Sequence, residues 1–187
     1  MKRITLTVCA LFVCAVMMAS CSGSSGEAYT AGVVEGNVYS SDWMDFTFTP
    51  AEGVTMLGGK ELTDAMGSAL GDDSYGQHYE MMATGAMGET VLVTVTEMLG
   101  SDKIDDYLDM FEEQLSELGY PVTVNERSTV NFAGNKYHSV QYTVNMDGIA
   151  VEQLLYVRIN GGYAAELYFT YTEQSELDAL LACFAEK

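Results

Sequence analysis

The chain has 187 residues, 48% of them hydrophobic, with 27 acidic side chains against eight basic ones and a formal net charge of −19. Seven phenylalanines and twelve tyrosines supply enough apolar surface for a core and exclude a disordered chain. The charge excludes nucleic acid as a partner, since phosphate backbones select basic surfaces, and it holds a folded domain away from an anionic membrane surface.

Lys2 and Arg3 precede the uncharged run "ITLTVCALFVCAVMMAS", which stops at Cys21. A basic start, an apolar stretch and small residues before a cut are the parts of a secretory leader. The run is shorter than the roughly 20 residues that a membrane-spanning helix needs. Ala19 and Ser20 before Cys21 resemble the bacterial lipobox, with Met18 where that pattern prefers leucine. The resemblance implies cleavage before Cys21 and its acylation, as with palmitate, so that several chains anchor the protein where one would be marginal. Residues 1–20 are then the leader, 21–34 a flexible tether rich in serine and glycine, and 35–187 a single domain. Its expected location is the extracytoplasmic face of the cell membrane. Cys9 and Cys14 leave with the leader and Cys21 carries lipid, so Cys183 is alone and no intramolecular disulfide forms. Without Lys2 and Arg3, six basic residues face 27 acidic ones, a formal charge of −21.

Within the domain, "NVYSSDWMDFTFTPAEG" predicts two short strands stopped by Pro50 and Gly53. "GKELTDAMGSALG" places Leu62, Met66 and Leu70 on one helical face, interrupted by Gly67. "YEMMATGAMGETVLVTVTEM" reads as a hairpin turning near Gly85 to Gly88. The clearest helix is "SDKIDDYLDMFEEQLSELG", with Ile104, Tyr107, Leu108, Phe111, Leu115 and Leu118 on one stripe. Ser101 or Asp102 can cap its start and Gly119 its end. Its acidic side, from Asp102 to Glu113, reads as a solvated face, because no calcium-loop pattern is present.

Residues 121–171 predict a meander of four strands. A three-residue turn over Ala133–Asn135 would oppose Val124 to Val144 and His138 to Val130. A four-residue turn over Asn145–Gly148 would oppose Val144 to Ile149, Tyr142 to Val151 and His138 to Leu155. A three-residue turn over Asn160–Gly162 would oppose Leu155 to Leu167 and Val157 to Ala165. In these registers the strand faces carrying Val122, Val124, Val130 and Phe132, and Val140, Tyr142, Val144 and Met146, share one core. A closing helix is expected over "TEQSELDALLACFAEK", with Leu177, Leu180, Leu181 and Phe184 on one stripe and Cys183 as a small buried hydrophobe. Helices before and after an antiparallel meander give an α+β layered domain.

The order of "VVEGNVYSSDWMDFTFTPAEGVTML", "FAGNKYHSVQYTV", "YVRINGGYAAELYFTY" and "ALLACF" resembles small bacterial lipoproteins with a PsbP-like domain, named for an extrinsic photosystem II subunit. The resemblance covers about residues 35 to 187, and "FTFTPAEG" is its most specific piece. It implies a central antiparallel sheet between helices, an α/β/α sandwich, with a short N-terminal hairpin. It also implies binding to or assembly with other proteins, and it carries no functional residue over by position.

Catalytic motifs are absent from the sequence. His78 and His138 with Cys183 lack zinc spacing, and no nucleophile elbow, metalloprotease helix or phosphate loop occurs. An envelope hydrolase using a carboxylate pair stays open in so acidic a chain, though no pair is marked out. Clustered Met81, Met82, Met87 and Met98 admit a copper reading, but adjacent methionines on a strand point to opposite faces, so core filling is preferred. No cofactor is implied. The expected binding surface is the meander's second face. There the register sets Tyr137 opposite Tyr156, Leu154 opposite Ser139 and Tyr168, and Tyr156 opposite Glu166, with Arg158 one step along. The competing expectation is that a helix covers this face. The leading functional expectation is a lipid-anchored, non-catalytic binding or assembly domain that contacts a protein or envelope component. A metal-binding lipoprotein, for copper or calcium, is the further alternative.

Overall fold

The computed structural model describes residues 28–70, 76–98, 103–117, 119–146 and 148–187. Cys9, Cys14, Cys21 and the expected caps Ser101 and Asp102 lie outside the described residues. Among these there are eleven strands and three helices. Strands β1 (Val33–Glu35), β2 (Val38–Ser41) and β3 (Phe46–Phe48) lead to β4 (Thr55–Gly58) and helix α1 (Gly59–Leu70). The hairpin β5 (Gln77–Thr84) and β6 (Thr90–Glu97) precedes helix α2 (Ile104–Glu117). The meander follows as β7 (Val122–Phe132), β8 (Asn135–Met146), β9 (Ile149–Asn160) and β10 (Tyr163–Tyr171), then helix α3 (Gln174–Leu181) and strand β11 (Phe184–Glu186).

Seven strands form one sheet in the order β4-β5-β6-β10-β9-β8-β7, and β1-β2-β3-β11 form a smaller one. Every pairing in both sheets is antiparallel. The large sheet is apolar on both faces. On one, Leu92, Val140, Val144, Leu155 and Val157 pack with Leu62 of α1 and with Tyr107, Leu108, Phe111 and Leu115 of α2. On the other, Met81, Val93, Leu154, Leu167 and Phe169 pack with Tyr39, Phe46 and Phe48 of the small sheet and with Leu177 and Leu180 of α3. The sheet therefore lies between helices, and the small sheet shares the second cover with α3. Met81 and Met82 fall on opposite faces, as adjacent strand residues do.

All three meander turns differ from expectation. Phe132 pairs with Asn135, Met146 with Ile149 and Asn160 with Tyr163, so each connection has two residues. Ala133 and Gly134 take φ of 45° and 77°, and Gly161 and Gly162 take 60° and 84°. Two successive left-handed residues make the primed turns whose twist matches that of paired strands. Val130 accordingly faces Tyr137, Tyr142 faces Gln153, Val144 faces Val151, Leu155 faces Tyr168 and Val157 faces Glu166. His138 lies opposite Thr129 and Val157 and is half-buried. A bulge between Val124 and Glu126 changes the faces of β7, so Val122 packs on the helix side and Val130 and Phe132 on the small-sheet side.

The expected closing helix stops at Leu181 rather than running through Phe184. The Cys183 carbonyl accepts the Thr49 N–H at 2.9 Å, and Phe184, Ala185 and Glu186 pair with Phe48, Thr47 and Phe46. The exposed edge of β3 takes the chain's last residues as a strand, which satisfies more backbone groups than another helical turn would. Phe184 reaches the core either way, which is why its helical spacing misleads. Its ring centroid lies 4.8 Å from Phe48, 5.2 Å from Phe46 and 5.0 Å from Phe132. Phe184→Ala should cost about 3 kcal/mol of stability, read as a lower urea midpoint. An unchanged midpoint would contradict this packing.

Candidate functional site

The six residues expected to share one surface are divided between two interiors. Tyr168 and Glu166 face α2, whereas Leu154, Tyr156, Tyr137 and Arg158 face the small sheet, a consequence of the two-residue turn at Gly161–Gly162. Tyr137, Tyr156, Tyr168, Leu154 and Glu166 are all buried, so they form no exposed aromatic face.

Glu166, at 1% exposure, sits in the central strand of the large sheet. Its Oε2 accepts from Thr94 Oγ1 at 2.9 Å and Thr96 Oγ1 at 2.5 Å, both on neighbouring β6. Its Oε1 accepts from Tyr168 at 2.7 Å and from Tyr107 of α2. Four hydroxyls satisfy this carboxylate and fasten the helix to the sheet. Burial, then the neighbouring carboxylate, pushes the Tyr107 and Tyr168 phenols well above their ordinary range.

A second buried carboxylate, Glu80, sits at a bulge in β5 and faces the opposite way. It accepts from Tyr39 Oη at 2.7 Å, from the Gly32 N–H at 2.8 Å and from Tyr29 Oη. Gly32 is fixed in kind, because an added Cβ would come within 2.4 Å of the Tyr39 hydroxyl. Within residues 29–34, read from composition as part of a tether, Tyr29 and Gly32 bond to this carboxylate, and the exposed Val33 and Val34 pair with β2. Glu80 and Glu166 lie on opposite faces of the sheet and do not form a carboxylate pair.

Tyr29 leads to a surface that mixes aromatic and polar side chains. Its ring lies 4.8 Å from His78, 5.3 Å from Tyr163 and 5.6 Å from Trp43. His78 is exposed and Tyr29 and Tyr163 are half-buried. The strand register explains the grouping: His78 pairs with Val95, Val95 with Ala165 and Ala165 with Arg158, one row across the sheet. The small Val95 and Ala165 in mid-row join Trp43 in one buried cluster. At the row's end the Arg158 Cζ lies 5.6 Å from the centroid of the Tyr137 ring. Arg158 donates to the Trp43 carbonyl at 2.9 Å and to Asn135 Oδ1, with Asp45 Oδ2 3.7 Å away. Burial pushes the Tyr137 phenol up to about 12, against the lowering pull of Arg158.

Of this corner the sequence reading reached only Arg158 and Tyr137. The sole tryptophan, in "DWMD" between two strands, was its available signal. The row itself required the correct turn lengths. Among the described residues no group of three or more His, Cys, Asp or Glu side chains is placed to hold a metal. Met87 is 80% exposed, while Met81 is buried and Met82 half-buried on different faces. Cys183 is buried, its thiol donating to the Ala179 carbonyl at 3.4 Å.

Eight of the twelve tyrosines, at 29, 39, 107, 137, 142, 156, 168 and 171, have phenols raised chiefly by burial. A phenol that ionises near pH 10 when unfolded but stays neutral when folded stabilises the fold below pH 10. That contribution is lost as pH rises above it. Stability should therefore fall from about pH 10, and phenolate absorbance from this set should appear together with loss of fold. A smooth titration of all twelve near pH 10 in the folded state would contradict the burial.

No known family model matches the sequence, and comparison with curated proteins finds no match. Solved structures do match. The solution structure of cyanobacterial PsbP from Synechocystis sp. PCC 6803 aligns at a TM-score of 0.51 and 17% identity, covering 88% of this chain and 98% of that one. A crystal structure from Bacteroides thetaiotaomicron VPI-5482 aligns at 0.43 and 12% identity, over 82% of this chain and 49% of that one. LpqN of Mycobacterium tuberculosis, described as involved in cell envelope biogenesis, aligns at 0.46 and 9% identity, over 75% and 82%. The first of these spans nearly all of both chains, and with the two-sided cover of a central antiparallel sheet it gives this domain a PsbP-like fold.

Proposed function

We propose that the chain is a lipid-anchored, non-catalytic domain on the extracytoplasmic face of the cell membrane that binds or assembles with a protein or envelope component. The observation that carries this reading is the corner of Tyr29, His78, Tyr163, Trp43 and Arg158. Amphipathic rings with a polar rim suit protein recognition, and this group lies where the N-terminal segment joins the domain. With Cys21 acylated, the nine residues from Cys21 to Tyr29 reach no further than about 30 Å, which keeps the corner close to the membrane. The chain's formal charge of −21 after removal of the leader opposes flat adsorption on anionic lipid, so the lipid anchors the chain while the corner meets a partner.

Fractionation of cells expressing Cys21→Ala should move the protein from membranes to the soluble fraction; unchanged retention would contradict acylation. A photo-crosslinking residue at the exposed position 78 should yield a discrete adduct with an envelope component. Adducts no different from those of a probe on the acidic face of α2 would count against a partner at this corner.

A further inference from the structure

Residues 28–32 lie ahead of β1, outside every strand and helix. Among them only Tyr29 and Gly32 are other than exposed. Both bond to the Glu80 carboxylate, Tyr29 through its hydroxyl and Gly32 through its N–H at 2.8 Å. The Tyr29 ring lies against His78, Tyr163 and Trp43, with centroids 4.8, 5.3 and 5.6 Å away. One side chain thus fills the aromatic corner and closes on a buried acid. The two buried acids differ in who supplies their donors. Those of Glu166 sit in β6, β10 and α2, so that carboxylate cannot lose one without the core opening. Glu80 takes two from the N-terminal segment, and from the body only Tyr39.

A carboxylate that loses donors while it stays dry is strongly disfavoured. At Glu80 the segment that supplies those donors is also part of the cover, so its departure admits water to the oxygens it vacates, while Tyr39 keeps its bond. We propose that residues 28–32 are a strap which Glu80 latches over the corner, and which opens locally, with the domain folded, to bare Trp43, His78 and Tyr163 to a partner. Tyr29 is then an occupant supplied by the chain itself, which a partner's side chain must displace. An occupant tethered on a short segment competes at an effective concentration on the order of millimolar. The strap therefore sets a threshold that weak encounters do not pass. The inference deepens the binding-domain reading and rests on it for the corner being an interface.

The Gly32 amide reports the latch, because it ends on Glu80, and Trp43, the chain's only tryptophan, reports the cover. In the purified full chain, native-state hydrogen exchange should be roughly a hundredfold faster at Gly32 than at Phe169 in β10, and nearly independent of low urea, the mark of local opening. Two substitutions loosen the latch from opposite sides. Glu80→Gln removes the charge that both strap donors meet. Gly32→Ala leaves the body unchanged, but its added Cβ would stand 2.4 Å from the Tyr39 hydroxyl and push the strap away. Each should speed exchange at position 32 about tenfold, as expected for a lost bond to a charged group. Each should also raise acrylamide quenching of Trp43 severalfold, with Phe169 still slow and the urea transition still cooperative. Exchange at Gly32 as slow as at Phe169, or Trp43 quenching unchanged in both variants, would overturn the strap. So would loosening that appears only with loss of the cooperative transition. A photo-crosslinking residue at exposed position 97, which pairs with Tyr163, leaves all the rings in place. There Gly32→Ala should raise adduct yield severalfold, and an unchanged or lower yield would make Tyr29 part of the interface and overturn its role as cover. Adducts missing with and without the substitution would count against the partner, while exchange and quenching, read without one, still decide the strap.

Discussion

Residues Ala164 to Tyr171 of β10 are all buried, as are Thr90 to Thr96 of β6. Two adjacent central strands with no wet face cannot belong to a sheet covered once, and the remaining elements follow from that need. Helices α1 and α2 supply one cover. The other is assembled from both ends of the domain: the first three strands, α3 and β11. The small sheet is therefore no appendage. Without Tyr39, Phe46 and Phe48 the apolar residues Leu154, Leu167 and Phe169 would lie against water, at about 25 cal/mol for each Å² exposed.

The same burial explains an unusual way of handling acids. Basic side chains are scarce, and those at Lys60, Arg127, Arg158 and Lys187 already engage surface carboxylates. Glu166 and Glu80 are instead surrounded by hydroxyls and one backbone N–H. Tyrosine suits this task, since its ring fills apolar volume while its tip donates. Tyr39, Tyr107 and Tyr168 are thus at once core residues and the polar surroundings of buried carboxylates.

Element types were readable where periodicity was long and the cause local. The α2 stripe, the β5–β6 hairpin and four meander strands follow from spacing and turn residues, and Gly119 beyond α2 takes a positive φ of 76°. Turn length was not readable. "FAGN", "NMDG" and "INGG" admit two, three or four connecting residues, and one residue of difference exchanges the faces of a strand. Because this sheet is apolar on both faces, matching hydrophobic partners cannot choose the register. That ambiguity alone gathered Tyr137, Tyr156 and Tyr168 onto one imagined surface and hid the row from His78 to Arg158. β1, β4 and β11, of three or four residues each, owe their state to a partner strand and carry no signal of their own.

Lys187 donates its backbone N–H to the Asp45 carbonyl at 3.2 Å and holds Asp42 through its ammonium at 2.5 Å, beside the same turn that presents Trp43 and Asp45. Any polypeptide continuing past Lys187, whether natural or an affinity tag, would leave the domain next to the Arg158 corner and compete for its access. Tags and reporters belong instead in the β5–β6 loop, where Met87 already stands in solvent.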